Sequence, residues 1–365
     1  MRTFTCDVCD ALVFFENSVC LASDTPLGFS TSAMRIVALT EADDGSLVWV
    51  NPDGETEVQC ANLLAVGCNW LVEAGVEASA DGPLCRSCEL TRTRPADSDA
   101  VGMEQWAVTE QAKRRLVYQL IDLQLPVVPL EQDPEHGLTF DLLSSAQGEQ
   151  VTTGHADGVV TIDLAEGDDP HREALRVQLD EPYRTMLGHL RHETGHYYWT
   201  VLVEGTERLE RFRELFGDEE ASYADAIERH YEEGAPAGWE ESYVSAYATM
   251  HPWEDWAETF AHYLHQRDTL QTAAAAGIVV VGPRAATSKG LRTPSDPLVA
   301  VPTEKVSDIQ QQIDTWLPLT YALNAVNRSM GKDDLYPFVL SPTVIGKLGF
   351  VHEAVLAAAD ATAAA

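Results

Sequence analysis

The stretch Arg191-His192-Glu193-Thr194-Gly195-His196-Tyr197-Tyr198-Trp199 decides how this chain is to be read. His192 and His196 stand four residues apart, so on an α-helix both imidazoles leave one face a turn apart and can close on a single ion. A zinc ion asks for that geometry. Glu193 follows the first histidine on the adjacent strip, where a carboxylate can reach a metal-held water without itself binding the metal, the place of a general base. Zinc lowers the pKa of such a water to about 7, and Glu193 would take its proton as the water attacks a polarised carbonyl. This is the chemistry of peptide hydrolysis.

The context strengthens the motif. Pro182, Tyr183, Met186, Leu187 and Leu190 give the predicted helix an apolar flank, and Tyr197, Tyr198, Trp199, Val201 and Leu202 continue it. A helix this apolar is buried, and two histidines and a glutamate are costly to bury unless something satisfies them. A metal does so directly, and hydrogen bonds to core carbonyls are the plainer alternative.

At 365 residues the chain can build a sizeable core, and the length suggests two or three domains. Asp and Glu number 58 against 24 Lys and Arg, a formal net charge of -34. Such a field repels phosphate backbones and anionic membranes, so neither nucleic acid nor membrane is expected as a partner. No apolar run approaches membrane-spanning length, and the opening MRTFTCDVCD has neither the basic start nor the apolar stretch of a secretory signal. The expected location is cytoplasmic.

All seven cysteines, Cys6, Cys9, Cys20, Cys60, Cys68, Cys85 and Cys88, lie in the first quarter. An odd count without a secretory signal argues for metal ligation over a disulfide framework. Cys6-Asp-Val-Cys9 and Cys85-Arg-Ser-Cys88 are C-x-x-C knuckles, whose spacing lets two thiolates meet one tetrahedral zinc. Cys20 continues the first knuckle, but the place three residues on holds Ser23. Two groupings fit. In one, Cys6, Cys9 and Cys20 form a degraded site and Cys60, Cys68, Cys85 and Cys88 an intact one; in the other, Cys6 and Cys9 close against Cys85 and Cys88. One or two structural zinc ions are expected, because a small region of short strands has little core of its own.

The polar run Thr91 to Ala100 reads as a linker, which places a zinc-binding domain at 1–92, a linker at 93–100 and a second domain at 101–358. Trp106, Val108, Ala112, Leu116, Leu120 and Leu123 recur at helical spacing up to Pro126. Leu138 to Leu143 and Val159 to Leu164 read as strands, and the second is a candidate edge strand onto which an extended peptide could pair. Another short helix is expected over Tyr223 to Tyr231. Near the end, Leu270 to Thr303 suggests surface loops around an IVVV segment, and Val306 to Leu317 a helix stopping at Pro318, with another resuming at Leu319. Ser341 and Pro342 suit the cap and first residue of a final helix, and residues 359–365 read as a disordered tail.

The stretch ESYVSAYATMHPWEDWAETFAHYLH, from Glu241, also carries chemistry. Pro252 followed by acids suits a helix start, and Glu254, Glu258 and His262 share a face. The two histidines need a third protein ligand, and a glutamate on a later helix is one standard source.

With both stretches in view, the chain resembles the zinc-binding metallopeptidases that carry an N-terminal zinc-ribbon domain. The resemblance runs through CDVC, FFENSVC, LGF, CNW, CRSCELTRTRP, EPYRTMLGHLRHETGHYYW, LFGD and YATMHPWEDWAETFAHYLH, roughly the first three quarters of the chain. It implies an α+β fold: a mainly helical, zincin-like peptidase domain with a small sheet, preceded by a small β-rich ribbon. The run from Glu254 to Ala261 resembles the third-ligand helix of glutamate zincins, including the lethal-factor-like peptidases. That resemblance implies zinc held by His192, His196 and Glu254, with Glu258 accepting the ring N–H of a ligand histidine. It also implies Tyr247, seven residues before the ligand glutamate, as the oxyanion donor, with Tyr243, His251 and His262 as rivals. Family members carry a fuller cysteine set at the ribbon, so Ser23 is a departure. The partner implied is a peptide or protein substrate. The alternative is an adaptor whose ribbon binds proteins and whose zincin site is inactive, against which the intact Glu193 counts.

Overall fold

The computed structural model describes residues 2–75, 82–145, 151–167, 185–281, 286–287, 290–291, 298–299, 306 and 308–364. Pro182 and Tyr183, and much of the segment from Leu270 to Thr303, lie outside them. The fold is α+β, and the chain divides into two compact units, Met1–Asp122 with Val127–His171 and Leu123–Pro126 with Arg172–Ala365.

The first unit begins with short antiparallel strands. Phe4–Thr5 pairs with Leu12–Val13, Thr25–Ser30 lies between Val19–Cys20 and Arg35–Ala38, and a four-stranded meander joins Thr40–Glu41, Leu47–Val50, Thr56–Gln59 and Leu71–Glu73. Strands this short bury little by themselves. An aromatic cluster supplies one part of the core, with Phe15 and Phe29 rings 5.0 Å apart, Phe29 and Trp70 5.0 Å, and Phe15 and Tyr118 5.2 Å, and Val37, Leu39 and Leu71 form another. A single turn of helix, α1 (Leu63–Val66), precedes the last meander strand, and the long helix α2 (Ala100–Asp122) carries Tyr118. By that contact α2 belongs to the first compact unit. The division suggested by the polar run at 93–100 and the division by compaction therefore fall at different places.

A second sheet completes this unit in the order Thr91–Thr93, Thr139–Leu143, Val159–Asp163, Gly154–Ala156. Thr91–Thr93, at the head of the polar run, is thus paired strand. The sheet also corrects the edge-strand expectation, because Val159–Asp163 is flanked by Thr139–Leu143 on one side and Gly154–Ala156 on the other. Its backbone groups are already paired over most of its length, and the outer position belongs to Gly154–Ala156. A substrate backbone has no free side of Val159 to Thr161 on which to add.

The second unit is helical, with α3 (Met186–Leu202), α4 (Leu209–Phe216), α5 (Tyr223–Glu233), α6 (Pro252–Ala275), α7 (Ile309–Ser329) and α8 (Pro342–Ala364). Helices α3 and α6 pack closely, and the motif itself permits it. A Cβ on Gly195 would stand 3.0 Å from Ala257 Cα and 3.2 Å from its carbonyl oxygen, so any side chain there would force the backbones slightly apart and glycine lets them approach. Trp256 Nε1 donates to the Gly195 carbonyl at 2.8 Å and fixes the crossing. Around it, Phe212 stacks on Phe216 and Trp256 on Phe260, and Phe216 and Phe350 meet the Trp256 ring edge-on.

Pro318 does not end a helix. α7 runs through it, with Ile313, Trp316 and Leu319 all buried around the proline. An interior proline costs about 3 kcal/mol, and burying three large apolar side chains contributes more than that, at roughly 1.5–3 kcal/mol each. Ser341 caps α8 as expected, its Oγ accepting from Val344 N at 3.2 Å, and the helix carries helical backbone into the alanine-rich tail. No helix among the described residues is long and apolar enough to cross a membrane.

Candidate active site and metal centres

Helix α3 starts where Thr185 Oγ1 accepts from Gly188 N at 2.9 Å, and within it the four-residue spacing turns His192 and His196 to one face. Helix α6 starts where His251 Nδ1 accepts from Trp253 N at 3.1 Å, with Pro252 as its first residue, so Glu254 stands in the first turn near the positive end of the helix dipole. The two helices bring His192, His196 and Glu254 together with ligand atoms all within 4.8 Å of one another. Glu254 Oε2 lies 3.0 Å from His192 Nε2 and 3.5 Å from His196 Nε2.

Surrounding groups hold these donors in place. His192 Nδ1 donates to Glu258 Oε1 at 2.7 Å, which leaves Nε2 for the centre. Ser245 Oγ donates to the other Glu258 oxygen at 2.6 Å and accepts from Ala248 N at 3.2 Å. Tyr223 donates its hydroxyl to Glu254 Oε1 at 2.8 Å. Glu193 Oε1 accepts from His189 Nε2 at 3.1 Å, one turn earlier on α3, while its buried Oε2 makes no hydrogen bond among the described residues.

The electrostatics favour a cation among these groups. Burial alone would discharge His192, but Glu254 and Glu258 outweigh it and raise the imidazole well above its ordinary range. Glu254 is the converse: burial pushes it up, and His196 and His192 bring it well below the usual carboxylate range. Glu258 follows the same logic and falls to about 2, burial being overcome by the hydrogen bond from His192. Glu193, also buried, is held low by His189 and the motif imidazoles, so it is an ionised carboxylate with one oxygen unengaged. Two imidazoles and a carboxylate form a donor set that zinc accepts, and the buried Glu193 Oε2, without a hydrogen-bond partner among the described residues, fits a centre that holds more than protein atoms.

Tyr247 lies at the centre, its ring 5.8 Å from that of His192. Its rivals are committed elsewhere. His251 caps α6, and its Nε2 donates to the Ala221 carbonyl at 3.0 Å. His262 Nδ1 accepts from the Tyr336 hydroxyl at 2.8 Å. Tyr243 carries the Lys347 ammonium 4.3 Å above its ring. Sequence reasoning missed three contributors: His189, Ser245 and Tyr223. His189 was discoverable, since it stands four residues before Glu193; Ser245 and Tyr223 lie on separate segments where no spacing announces them.

The cysteines resolve into the first of the two groupings. Cys60, Cys68, Cys85 and Cys88, all buried, bring their sulfurs within 4.8 Å of one another, with Cys68 Sγ 3.6 Å from Cys85 Sγ and the Cys85 N–H on Cys60 Sγ at 3.4 Å. Cys6, Cys9 and Cys20 form a separate trio, Cys9 Sγ lying 3.6 Å from Cys20 Sγ. The arrangement of Cys6 and Cys9 against Cys85 and Cys88 is therefore not the one adopted, because strand pairing delivers each knuckle to a different partner set. Ser23 sits where a fourth thiol would be, its Oγ 3.6 Å from Cys6 Sγ and hydrogen-bonded to Thr25 Oγ1 at 2.8 Å.

A ribbon with a four-thiol cluster, followed by a helical unit in which two histidines and a glutamate converge, defines a class: a zinc-ribbon protein with a zinc-binding peptidase domain. Residues 102–354 match the family described as "Putative zinc-binding metallo-peptidase", residues 3–99 match a zinc-ribbon domain, and the chain belongs to that peptidase family. It is 50% identical, over 97% of its own length and 95% of theirs, to an uncharacterized protein of Mycobacterium bovis and to uncharacterized proteins of two Mycobacterium tuberculosis strains. No solved structure matches the chain.

Proposed function

We propose that the chain is a cytoplasmic zinc-dependent peptidase of the glutamate-zincin type, with His192, His196 and Glu254 holding the catalytic ion. The observation that carries this reading is the convergence of His192 Nε2, His196 Nε2 and Glu254 Oε2 beside a buried Glu193 with one oxygen unengaged. When bound, zinc supplies Lewis acidity, acidifying water to a pKa of about 7 and polarising a carbonyl. Glu193, kept ionised, accepts the proton of the attacking water and later returns it to the leaving amine. His189 holds the second Glu193 oxygen so that the free one faces a constant direction. Glu258 fixes the tautomer and orientation of His192. Tyr247 donates a hydrogen bond to the carbonyl oxygen as negative charge develops on it.

Cys60, Cys68, Cys85 and Cys88 hold a structural zinc, and Cys6, Cys9 and Cys20 a weaker one lacking its fourth thiol. Seven cysteines kept as thiols suit a reducing compartment.

Glu193→Gln tests the proposal, since it keeps size and hydrogen bonding but cannot take a proton. Cleavage of peptides found in a library screen should fall about 10²- to 10⁴-fold while zinc content stays at the wild-type level. Equal cleavage by the variant, or no cleavage of any peptide by the zinc-loaded wild type, sinks the peptidase reading and leaves a protein-binding adaptor.

A further inference from the structure

We propose that Tyr223 is a positioning residue of the metal centre: its hydroxyl holds Glu254 Oε1 and thereby reserves Oε2 for the ion. The inference rests on the assignment of Glu254 as a ligand.

A carboxylate ligand has two competent oxygens, and nothing in its own chemistry chooses between them. Here the choice is made. Oε2 faces both imidazoles, at 3.0 and 3.5 Å, and Oε1 accepts from Tyr223 at 2.8 Å. A phenol is a donor that cannot compete as a cation, so it occupies one oxygen without neutralising the ligand.

Core packing does not account for this tyrosine. It opens α5, a helix on which Ala226 is the buried residue, and 39% of Tyr223 remains exposed. What fixes it is local and polar. Ser222 caps α5 by accepting from Asp225 N at 3.3 Å, and His251, the cap of α6, donates to the Ala221 carbonyl at 3.0 Å. The ring lies 5.4 Å from His251 and 6.3 Å from Trp253, against the first turn of α6. These two caps thus fix the chain at Ala221 and Ser222, immediately before a hydroxyl aimed at Glu254.

The test uses the full chain and cobalt(II), read by chelator competition and visible absorption; the ion that Glu254→Ala removes defines the site. Tyr223→Phe should weaken that ion about 10- to 100-fold, alter its cobalt spectrum, and regain most cleavage activity at saturating zinc. Tyr231→Phe, on the same helix with an exposed ring, should change neither affinity nor spectrum. Wild-type affinity and spectrum in Tyr223→Phe would overturn the proposal, and a fall in kcat at saturating metal with both unchanged would do so too, by making the phenol a group that acts on substrate. If the wild type binds no ion that Glu254→Ala removes, the metal-centre reading itself fails, a result distinguishable because none of these binding measurements needs a substrate.

Discussion

The four-cysteine cluster and the two-histidine, one-glutamate centre are both buried donor sets, yet they are built differently. Cys60, Cys68, Cys85 and Cys88 come from one small region, are at most 2% exposed, and are braced by backbone, as with the Cys85 N–H on Cys60 Sγ. Four thiolates complete a tetrahedron and leave no place for a reactant. The other centre takes its donors from two helices, 62 residues apart between His192 and Glu254, and supplies three. Its donors are braced by side chains: Glu258 on His192, Ser245 on Glu258, Tyr223 on Glu254. A site that only holds the chain together can rely on backbone geometry. One that must keep a position open needs its ligands aimed by other groups, because a missing ligand also removes a constraint.

The largest effect should come from breaking the closed cluster. Cys85→Ser with Cys88→Ser removes two of four thiolates from a region of short strands with small hydrophobic clusters, and structural zinc in such sites contributes on the order of 10–16 kcal/mol. Purified protein should lose one zinc by elemental analysis, and residues 1–90 should become protease-sensitive. Cys20→Ser should be milder, because its trio already lacks the fourth thiol that Ser23 replaces. Unchanged zinc content and folding in the double variant would remove the contrast between a closed and an open site.

At the open centre the same comparison predicts a graded response. Glu254→Ala should empty the site, whereas Glu258→Ala should weaken zinc by about 10- to 100-fold and leave a measurable site. Chelator titration of both variants ranks them. The reverse order would make Glu258 the ligand and Glu254 the support.

How much of this was legible in the sequence depends on how local the physics is. His192, Glu193 and His196 are set by one helix's periodicity, and four-residue spacing is enough to bring the histidines to a common face. Glu254 needed resemblance, because nothing local says which later helix crosses α3; the enabling residue, Gly195, reveals its role only once Ala257 is seen against it. Cysteine grouping was undecidable for the same reason: each knuckle is local, but its partners arrive through strand pairing. Val159–Asp163 had the right element and the wrong position, since alternation specifies a strand but not its neighbours. Tyr118 joins α2 to the first unit's core, although the polar run before that helix suggests a boundary. Pro318 breaks a local rule that burial of its neighbours overrides.

The smallest effect sharpens the comparison by asking what a buried histidine does without a ligand's role. His262, on α6 two turns beyond Glu254, is 1% exposed, and its Nδ1 accepts from Tyr336, whose hydroxyl also accepts from Gln266 at 3.3 Å. Burial pushes its pKa down to about 4; Glu258 opposes this and His192 adds to it, and burial prevails. The unfolded chain would take up this proton near pH 6.5, whereas the folded chain declines it until about pH 4. The stability His262 contributes is therefore fully present above pH 6.5 and is lost as the pH falls from there towards 4. The slope from one such group is at most about 1.4 kcal/mol per pH unit. His262→Gln should flatten the decline by up to that amount. Denaturant midpoints at pH 7, 6 and 5, compared between variant and wild type so that acid release of metal cancels, measure it. Parallel declines would mean that His262 takes up its proton as readily in the fold as outside it, and that an imidazole buried here requires neither a metal nor neutrality.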